Sequence, residues 1–153
     1  MKLSIPRVKL SQDAFTTVRN CVNEANNQFE VGGVLLGYKF LNRFYVSSAT
    51  AQLGIEDKSN VSFTLDGEWN MSRIAEINQS RTRKLSVLGV WHSHICDEDK
   101  FSYQDRQSNL ELARLYGSII SAITIQPSPH RVSLTAYLVS PKGKESLCKV
   151  KIC

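Results

Sequence analysis

Two of the three histidines in the chain, His92 and His94, lie two residues apart at the end of an apolar segment. On a strand, residues i and i+2 project from the same face, roughly 6.6–6.8 Å apart along the backbone. Ser102 and Asp105 follow, so the stretch reads His-x-His, seven residues, then Ser-x-x-Asp. A short loop that returns Asp105 beside the strand brings two imidazoles and a carboxylate around one point. Three such ligands, with a fourth position for water, predict a catalytic zinc site.

Hydrolysis at such a site also needs a base, which takes a proton from the attacking water and delivers it to the leaving amine. Glu30 is a candidate, because it follows the first predicted helix and directly precedes the glycine-containing segment 31–38. Asp97, Glu98 and Asp99 are nearer to the histidines in sequence. Spacing alone therefore leaves the choice of base open.

The elements that must position these residues follow from the apolar periodicity. Helical spacing predicts three helices, over residues 11–27, 66–77 and 102–116. Strand-like segments cover residues 31–38, 44–51, 61–65, 85–92, 119–125, 132–139 and 147–152. Turns are predicted at residues 42–43, 127–129 and 141–143. This order predicts the α/β or α+β class, with a mixed sheet and about three helices packed around it.

Some individual side chains have structural interpretations. Ser11 is the predicted N-cap of the first helix, and Ser102 has the same position at the third. Trp91 and Trp69 each lie in an apolar pattern, which indicates core residues rather than substrate platforms. His130 follows a proline and precedes a strand, so we expect a surface turn residue.

Length and composition favour one folded unit. The 153 residues are 42% hydrophobic and 22% charged, which predicts a single domain spanning residues 1–153. The N-terminus has no apolar leader, and no run of about 18 apolar residues occurs. The four cysteines form no CxxC pair, so we expect a reduced, cytoplasmic protein. The net charge of +5 comes from scattered residues, which predicts neither a nucleic-acid nor a membrane partner.

The pattern resembles the JAMM motif of the JAB/MPN metalloproteases, in which a glutamate precedes His-x-His, seven residues and Ser-x-x-Asp. Residues 29–37, 89–94 and 102–105 fill every motif position. The resemblance implies the JAB/MPN fold, with one zinc ion and its bound water held by His92, His94 and Asp105. It also implies that Glu30 is the general base and acid, and that Ser102 stabilises the developing oxyanion.

Members of this family hydrolyse isopeptide or peptide bonds after the C-terminal tail of ubiquitin or a ubiquitin-like modifier. The small size of the chain resembles stand-alone bacterial members, some of which accompany ubiquitin-like conjugation enzymes in antiphage operons, including the CBASS type. The resemblance therefore implies deconjugation of a modified protein in such a pathway. Ile95 and Phe101 stand where the family often has proline, which leaves the loop shape open.

Two alternative functions and the roles of two loop segments stay open or are set aside at this point. A non-catalytic MPN scaffold or protein-binding module shares the fold, although such members generally lack part of the motif. A nucleobase deaminase needs His-x-Glu and Pro-Cys-x-x-Cys, and neither is present. Cys96 is either a loop cysteine, a metal ligand or a redox brake. The acidic residues 97–99 are either a solvated loop or a selector of substrate tails.

Overall fold

The computed structural model describes residues 4–52, 64–95 and 98–153. In these ranges the chain forms three helices, α1 (Gln12–Ala25), α2 (Gly67–Gln79) and α3 (Tyr103–Tyr116). The strands are β1 (Arg7–Leu10), β2 (Gly32–Phe40), β3 (Arg43–Ala49), β4 (Ser86–Ser93), β5 (Ile119–Ser128), β6 (Arg131–Val139), β7 (Glu145–Leu147) and β8 (Lys149–Ile152). The predicted class, a mixed sheet with three helices, is confirmed.

The eight strands form one sheet in the order β7-β6-β5-β4-β2-β3-β1-β8. β4 is antiparallel to β2 and parallel to β5, and β1 is parallel to both β3 and β8. β7 and β8 lie at opposite edges of this order, yet only Cys148 separates them in sequence. The sheet must therefore curve until its two edges meet.

The prediction of one strand over residues 147–152 is wrong, because the backbone changes partner at Cys148. The Cys148 N–H donates to the carbonyl of Ala136 on β6, and the next N–H, of Lys149, donates to the carbonyl of Pro6 beside β1. A change of partner strand does not alter the spacing of apolar residues, so the sequence pattern indicates one continuous strand.

Helix α1 packs against the concave face of the sheet. Ser11 caps it as predicted, accepting a hydrogen bond from the Ala14 N–H at 3.0 Å. The helix buries Val18 and Val22, among others, and contacts β3, β5 and β6, which come from both halves of the sheet. Full burial of each such side chain contributes about 1.5–3 kcal/mol. Trp91 belongs to this core and is fully buried, as predicted.

Helix α2 covers part of the opposite face, where Ile74 and Ile77 pack against an apolar cluster on β2. The prediction that Trp69 is a core residue is wrong, since 42% of its surface is exposed. The neighbouring residue of α2, Asn70, is buried instead. Its side-chain amide donates to the Gln52 side chain, and its side-chain carbonyl accepts from the Thr50 hydroxyl. A polar network thus fixes the rotation of this helix.

Helix α3 lies on the same face as α2. Its buried residues are Asn109 and Ala113, whereas Leu115 is 77% exposed. The Ser121 hydroxyl on β5 donates to the Asn109 side-chain carbonyl at 2.9 Å. This contact turns the Asn109 side of the helix toward the sheet and the leucine outward.

Smaller differences concern turns and loops. Pro127 lies within β5, where the register with β6 shifts, because a residue without an N–H is tolerated at a bulge. The turn consists of Pro129 and His130, which confirms His130 as a turn residue. Of the predicted strand 61–65, residues 61–63 lie outside the described ranges and residues 64–65 are irregular. None of the described helices has the length and apolar character needed to cross a membrane.

Candidate metal centre and active-site cleft

The carboxyl end of β4 brings the two histidines onto one face of the sheet. β4 pairs with β2 on one side and β5 on the other, with His92 opposite Gly32 and Ile123. The pairing continues past the strand end, since the His94 N–H donates to the Thr124 carbonyl at 2.9 Å. Both histidines therefore have a fixed backbone. Their side chains are largely buried, with 12% and 11% of the surface exposed.

The donor atoms of His92, His94 and Asp105 form a compact triangle. The two Nε2 atoms are 2.9 Å apart, and Asp105 Oδ2 lies 3.3 Å from the first and 3.1 Å from the second. A tetrahedral zinc shell with bonds of about 2.0–2.1 Å has edges of roughly 3.3 Å. An ion therefore fits among these three donors after only small side-chain shifts, and the donor set of two imidazoles and one carboxylate suits zinc.

The His94 ring is oriented by the loop that follows β4. Its Nδ1 lies 2.8 Å from the Glu98 carbonyl oxygen, which assigns a hydrogen to Nδ1. Nε2 faces Asp105 and His92: when protonated it donates to Asp105 Oδ2 at 3.1 Å, and when unprotonated it offers its lone pair to a metal ion, as in metal-binding histidines. The hydrogen bond to Asp105 raises the pKa of His94 against the opposing effect of burial, and the Glu98 carbonyl and the charge of Glu30 act in the same direction.

Asp105 is held as a carboxylate. Burial alone raises its pKa, but hydrogen bonds from His92, His94 and the Ser102 N–H outweigh that effect and hold the pKa well below its ordinary value. A buried anion beside two imidazoles creates a site that attracts a cation. A proton and a metal ion would compete for the same lone pairs of these side chains.

The start of α3 fixes both Ser102 and Asp105 through a capping box. The Ser102 hydroxyl accepts the Asp105 N–H at 3.1 Å, and Asp105 Oδ2 accepts the Ser102 N–H at 2.9 Å. The same carboxylate oxygen faces the two histidines, so helix capping also aims the ligand. Ser102 is the N-cap that the sequence predicted, and a hydroxyl that accepts one bond still has its own hydrogen to donate.

The structure brings Glu30 to this site by strand pairing. Gly32 pairs with His92, and the Ser93 N–H donates to the Val31 carbonyl at 2.8 Å, so the same register places Glu30 opposite His94. Residues that alternate by two share a face, which puts Glu30 on the face of the two histidines. The charge of Glu30 is among the causes that raise the pKa of His94.

The described residues of the acidic loop contact the site through a backbone carbonyl and the sheet through a carboxylate. Glu98 contributes its backbone carbonyl to His94, and the Asp99 carboxylate accepts from the Thr135 hydroxyl on β6 at 3.3 Å. The loop is thus anchored on the sheet rather than simply solvated. Cys96 and Asp97 lie outside the described residues.

A cleft of about 1210 Å³ contains the triangle. Its walls come from the end of β4, the loop before α3, the inner face of α3 and the segment before α2. The lining includes Glu30, Thr64, Leu65, His92, His94, Glu98, Lys100, Ser102, Asp105, Asn109 and Leu112. Sequence reasoning missed Asn109 and Lys100, because neither belongs to a motif, and found no role for Ser93 although it stands between the two histidines.

Fold and site together define a JAB-type domain with a candidate metal-binding triad. Residues 18–138 match the Prok-JAB family, described as prokaryotic homologs of the JAB domain, and the chain belongs to this family. The solution structure of protein DSY2949 from Desulfitobacterium hafniense superposes with a TM-score of 0.71 at 17% identity, covering 95% of this chain and 94% of that one. This likeness shows a shared fold. Among curated proteins, no sequence match was found.

Proposed function

We propose that this chain is a zinc-dependent metalloprotease that hydrolyses an amide bond. The observation that carries the proposal is the donor triangle of His92, His94 and Asp105 in a cleft that Glu30 also lines. Three protein ligands with an open fourth position are the usual arrangement of catalytic zinc, whereas structural zinc is closed by four. The same proposal treats residues 1–153 as one cytoplasmic domain.

Each functional residue has a distinct task in this proposal. Zinc, when bound, lowers the pKa of water and polarises a carbonyl. Glu30 takes the proton of the attacking water and passes it to the leaving amine, for which its place opposite His94 is suited. The Ser102 hydroxyl donates a hydrogen bond to the substrate carbonyl oxygen as negative charge develops there. Glu98 keeps the His94 ring in the tautomer that leaves Nε2 unprotonated.

The substrate class rests on membership of the JAB family rather than on the cleft. We propose an isopeptide or peptide bond that follows the C-terminal tail of a ubiquitin-like modifier or conjugated protein. A cleft of about 1210 Å³ has room for an extended segment of several residues. We further propose a partner in a bacterial conjugation or antiphage operon, such as one of the CBASS type, whose conjugates the protein would cleave.

The first experiment combines metal content with cleavage. Purified protein is analysed for bound metal, reloaded with zinc and incubated with a panel of ubiquitin-like conjugates. Glu30→Gln should keep one zinc per chain and lose cleavage, because the amide cannot take the water's proton. Glu111→Gln, which removes an exposed glutamate of α3, is the matched control and should keep both.

Two outcomes would contradict parts of this proposal. Retained cleavage in Glu30→Gln would remove Glu30 as the base, and Glu98→Gln then tests the nearest described alternative in the cleft. Wild-type protein that neither carries metal nor takes up added zinc would favour the second candidate, a non-catalytic scaffold of the same fold. Two histidines and one carboxylate also bind non-haem iron, so the ligand set alone does not identify the metal. Elemental analysis distinguishes zinc from iron.

A further inference from the structure

Ser93 lies between the two metal-site histidines but faces the other way. Its side chain is buried, with 7% of the residue surface exposed, on the face of the sheet opposite to that of His92 and His94. The Ser93 hydroxyl accepts a hydrogen bond from the Val31 N–H at 2.9 Å, and the Ser93 N–H donates to the Val31 carbonyl at 2.8 Å. One residue therefore binds both polar backbone atoms of Val31.

This double contact holds the chain at the point where the β2 ladder begins. Gly32 is the first residue of β2, and the connection from α1 to it is irregular, with left-handed Asn26 and Asn27. Val31 is fully buried, so its N–H would be left without water if Ser93 did not accept it. The hydroxyl thus extends strand pairing by one residue beyond Gly32.

We propose that Ser93 is a positioning residue for Glu30, which rests on the function proposed above. The Val31 N–H belongs to the planar peptide unit that starts at the Glu30 carbonyl, so a bond to that N–H orients the whole unit. The Glu30 side chain leaves from the adjacent Cα. Fixing the peptide unit therefore fixes where the carboxylate can reach relative to His94.

The consequence for the reaction is a loss of rate rather than of substrate or metal binding. A displacement of about 1 Å in a reacting group can lower a rate roughly a hundredfold. The Ser93 hydroxyl is on the face away from the donor triangle, so its removal leaves the three ligand atoms in place. We expect kcat to fall roughly ten- to a hundredfold in Ser93→Ala, with zinc content and KM unchanged.

The test uses three variants of the zinc-loaded chain. Ser93→Ala removes the acceptor, and Ser93→Thr restores it. Thr50→Val is the matched control. The Thr50 hydroxyl accepts a hydrogen bond from the Val34 N–H of β2 at 2.8 Å, and Val34 is farther along the chain from Glu30 than Val31 is. Amide hydrogen exchange at Val31, measured by NMR, reports the contact independently of activity. Zinc content, kcat and KM are measured alongside.

The expected results distinguish positioning of Glu30 by Ser93 from a general loss of protein stability. Exchange at Val31 should accelerate at least tenfold in Ser93→Ala and return toward the wild-type rate in Ser93→Thr, with kcat following the same order. Thr50→Val should unfold at a lower temperature, yet keep its kcat and its slow Val31 exchange. Any residual turnover of Glu30→Gln should not fall further when Ser93→Ala is added, because the group that Ser93 positions is already absent.

Several results would overturn the inference. Unchanged Val31 exchange or unchanged kcat in folded Ser93→Ala refutes it, and so does a fall in kcat that accompanies zinc loss. If Ser93→Ala does not fold, Ser93→Cys takes its place, since a thiol is a weaker acceptor, and intermediate exchange and kcat are expected. A wild-type chain without cleavage refutes the proposed function and this role together, whereas active wild type with an unaffected Ser93→Ala refutes this role alone.

Discussion

Ser102 caps α3 and, in the proposed function, also donates to the developing oxyanion; different substitutions should remove these two contributions to different extents. Its hydroxyl accepts the Asp105 N–H at 3.1 Å, which caps α3. Loss of an N-cap serine costs about 1 kcal/mol when alanine replaces it, but only a few tenths when glycine does. Loss of one oxyanion donor costs about 3 kcal/mol in the transition state.

These magnitudes give a specific pattern for Ser102→Ala, Ser102→Gly and Ser102→Thr. For a chain of this size, about 1 kcal/mol lowers Tm by about 2–4 °C, so alanine should lower it by that much and glycine by about 1 °C. Both should lower kcat roughly 150-fold, since 3 kcal/mol corresponds to about two orders of magnitude. Threonine keeps acceptor and donor and should keep most of both stability and kcat.

Thermal unfolding, zinc content and turnover on one cleavable conjugate provide the three measurements. The reasoning is refuted if Ser102→Gly turns over at the wild-type rate, because Ser102 would then be a helix cap alone. Zinc loss in either variant would also count against it, since it would show that the capping box acts mainly by holding Asp105 in place.

Three further predictions follow from the structure. Gly89→Ala should unfold the sheet or lower Tm strongly, because an added Cβ would lie 1.7 Å from the Ile120 carbonyl oxygen; a stable variant in thermal unfolding contradicts this packing. Burial raises the pKa of Cys21 and Cys148 to about 11, so native protein should resist iodoacetamide at both, as peptide mass mapping can check. Free zinc at a hundred times its Kd should stabilise by about 2.7 kcal/mol, raising Tm by about 5–11 °C, and His94→Ala should abolish that rise.

The parts of the fold that local chemistry specifies were predictable from the sequence. Ser11 and Ser102 cap α1 and α3 where expected, because an N-cap is read from one side chain and its near neighbours. The two histidines meet Asp105 because a strand end, a short loop and a helix start are all local features. Thus the donor triangle needed little more than sequence spacing.

Features that depend on distant partners were not predictable. Glu30 reaches the histidines through the register between β2 and β4, which no local pattern specifies, so residue spacing alone could not select it among the carboxylates. The face of α3 that packs on the sheet depends on a distant partner in the same way, because Asn109 is buried by its hydrogen bond from Ser121 on β5.

The meeting of the sheet edges beside Cys148 determines the order in which the protein can mature during synthesis. β1 is the first described strand, but its outer partner β8 consists of Lys149–Ile152. After Asp105 the ribosome adds 47 residues to reach Ile152, which takes about 2–9 s at roughly 5–20 residues per second. During that interval the three ligand residues have been synthesised, while β1 lacks β8 and presents an unpaired edge to which another chain can add.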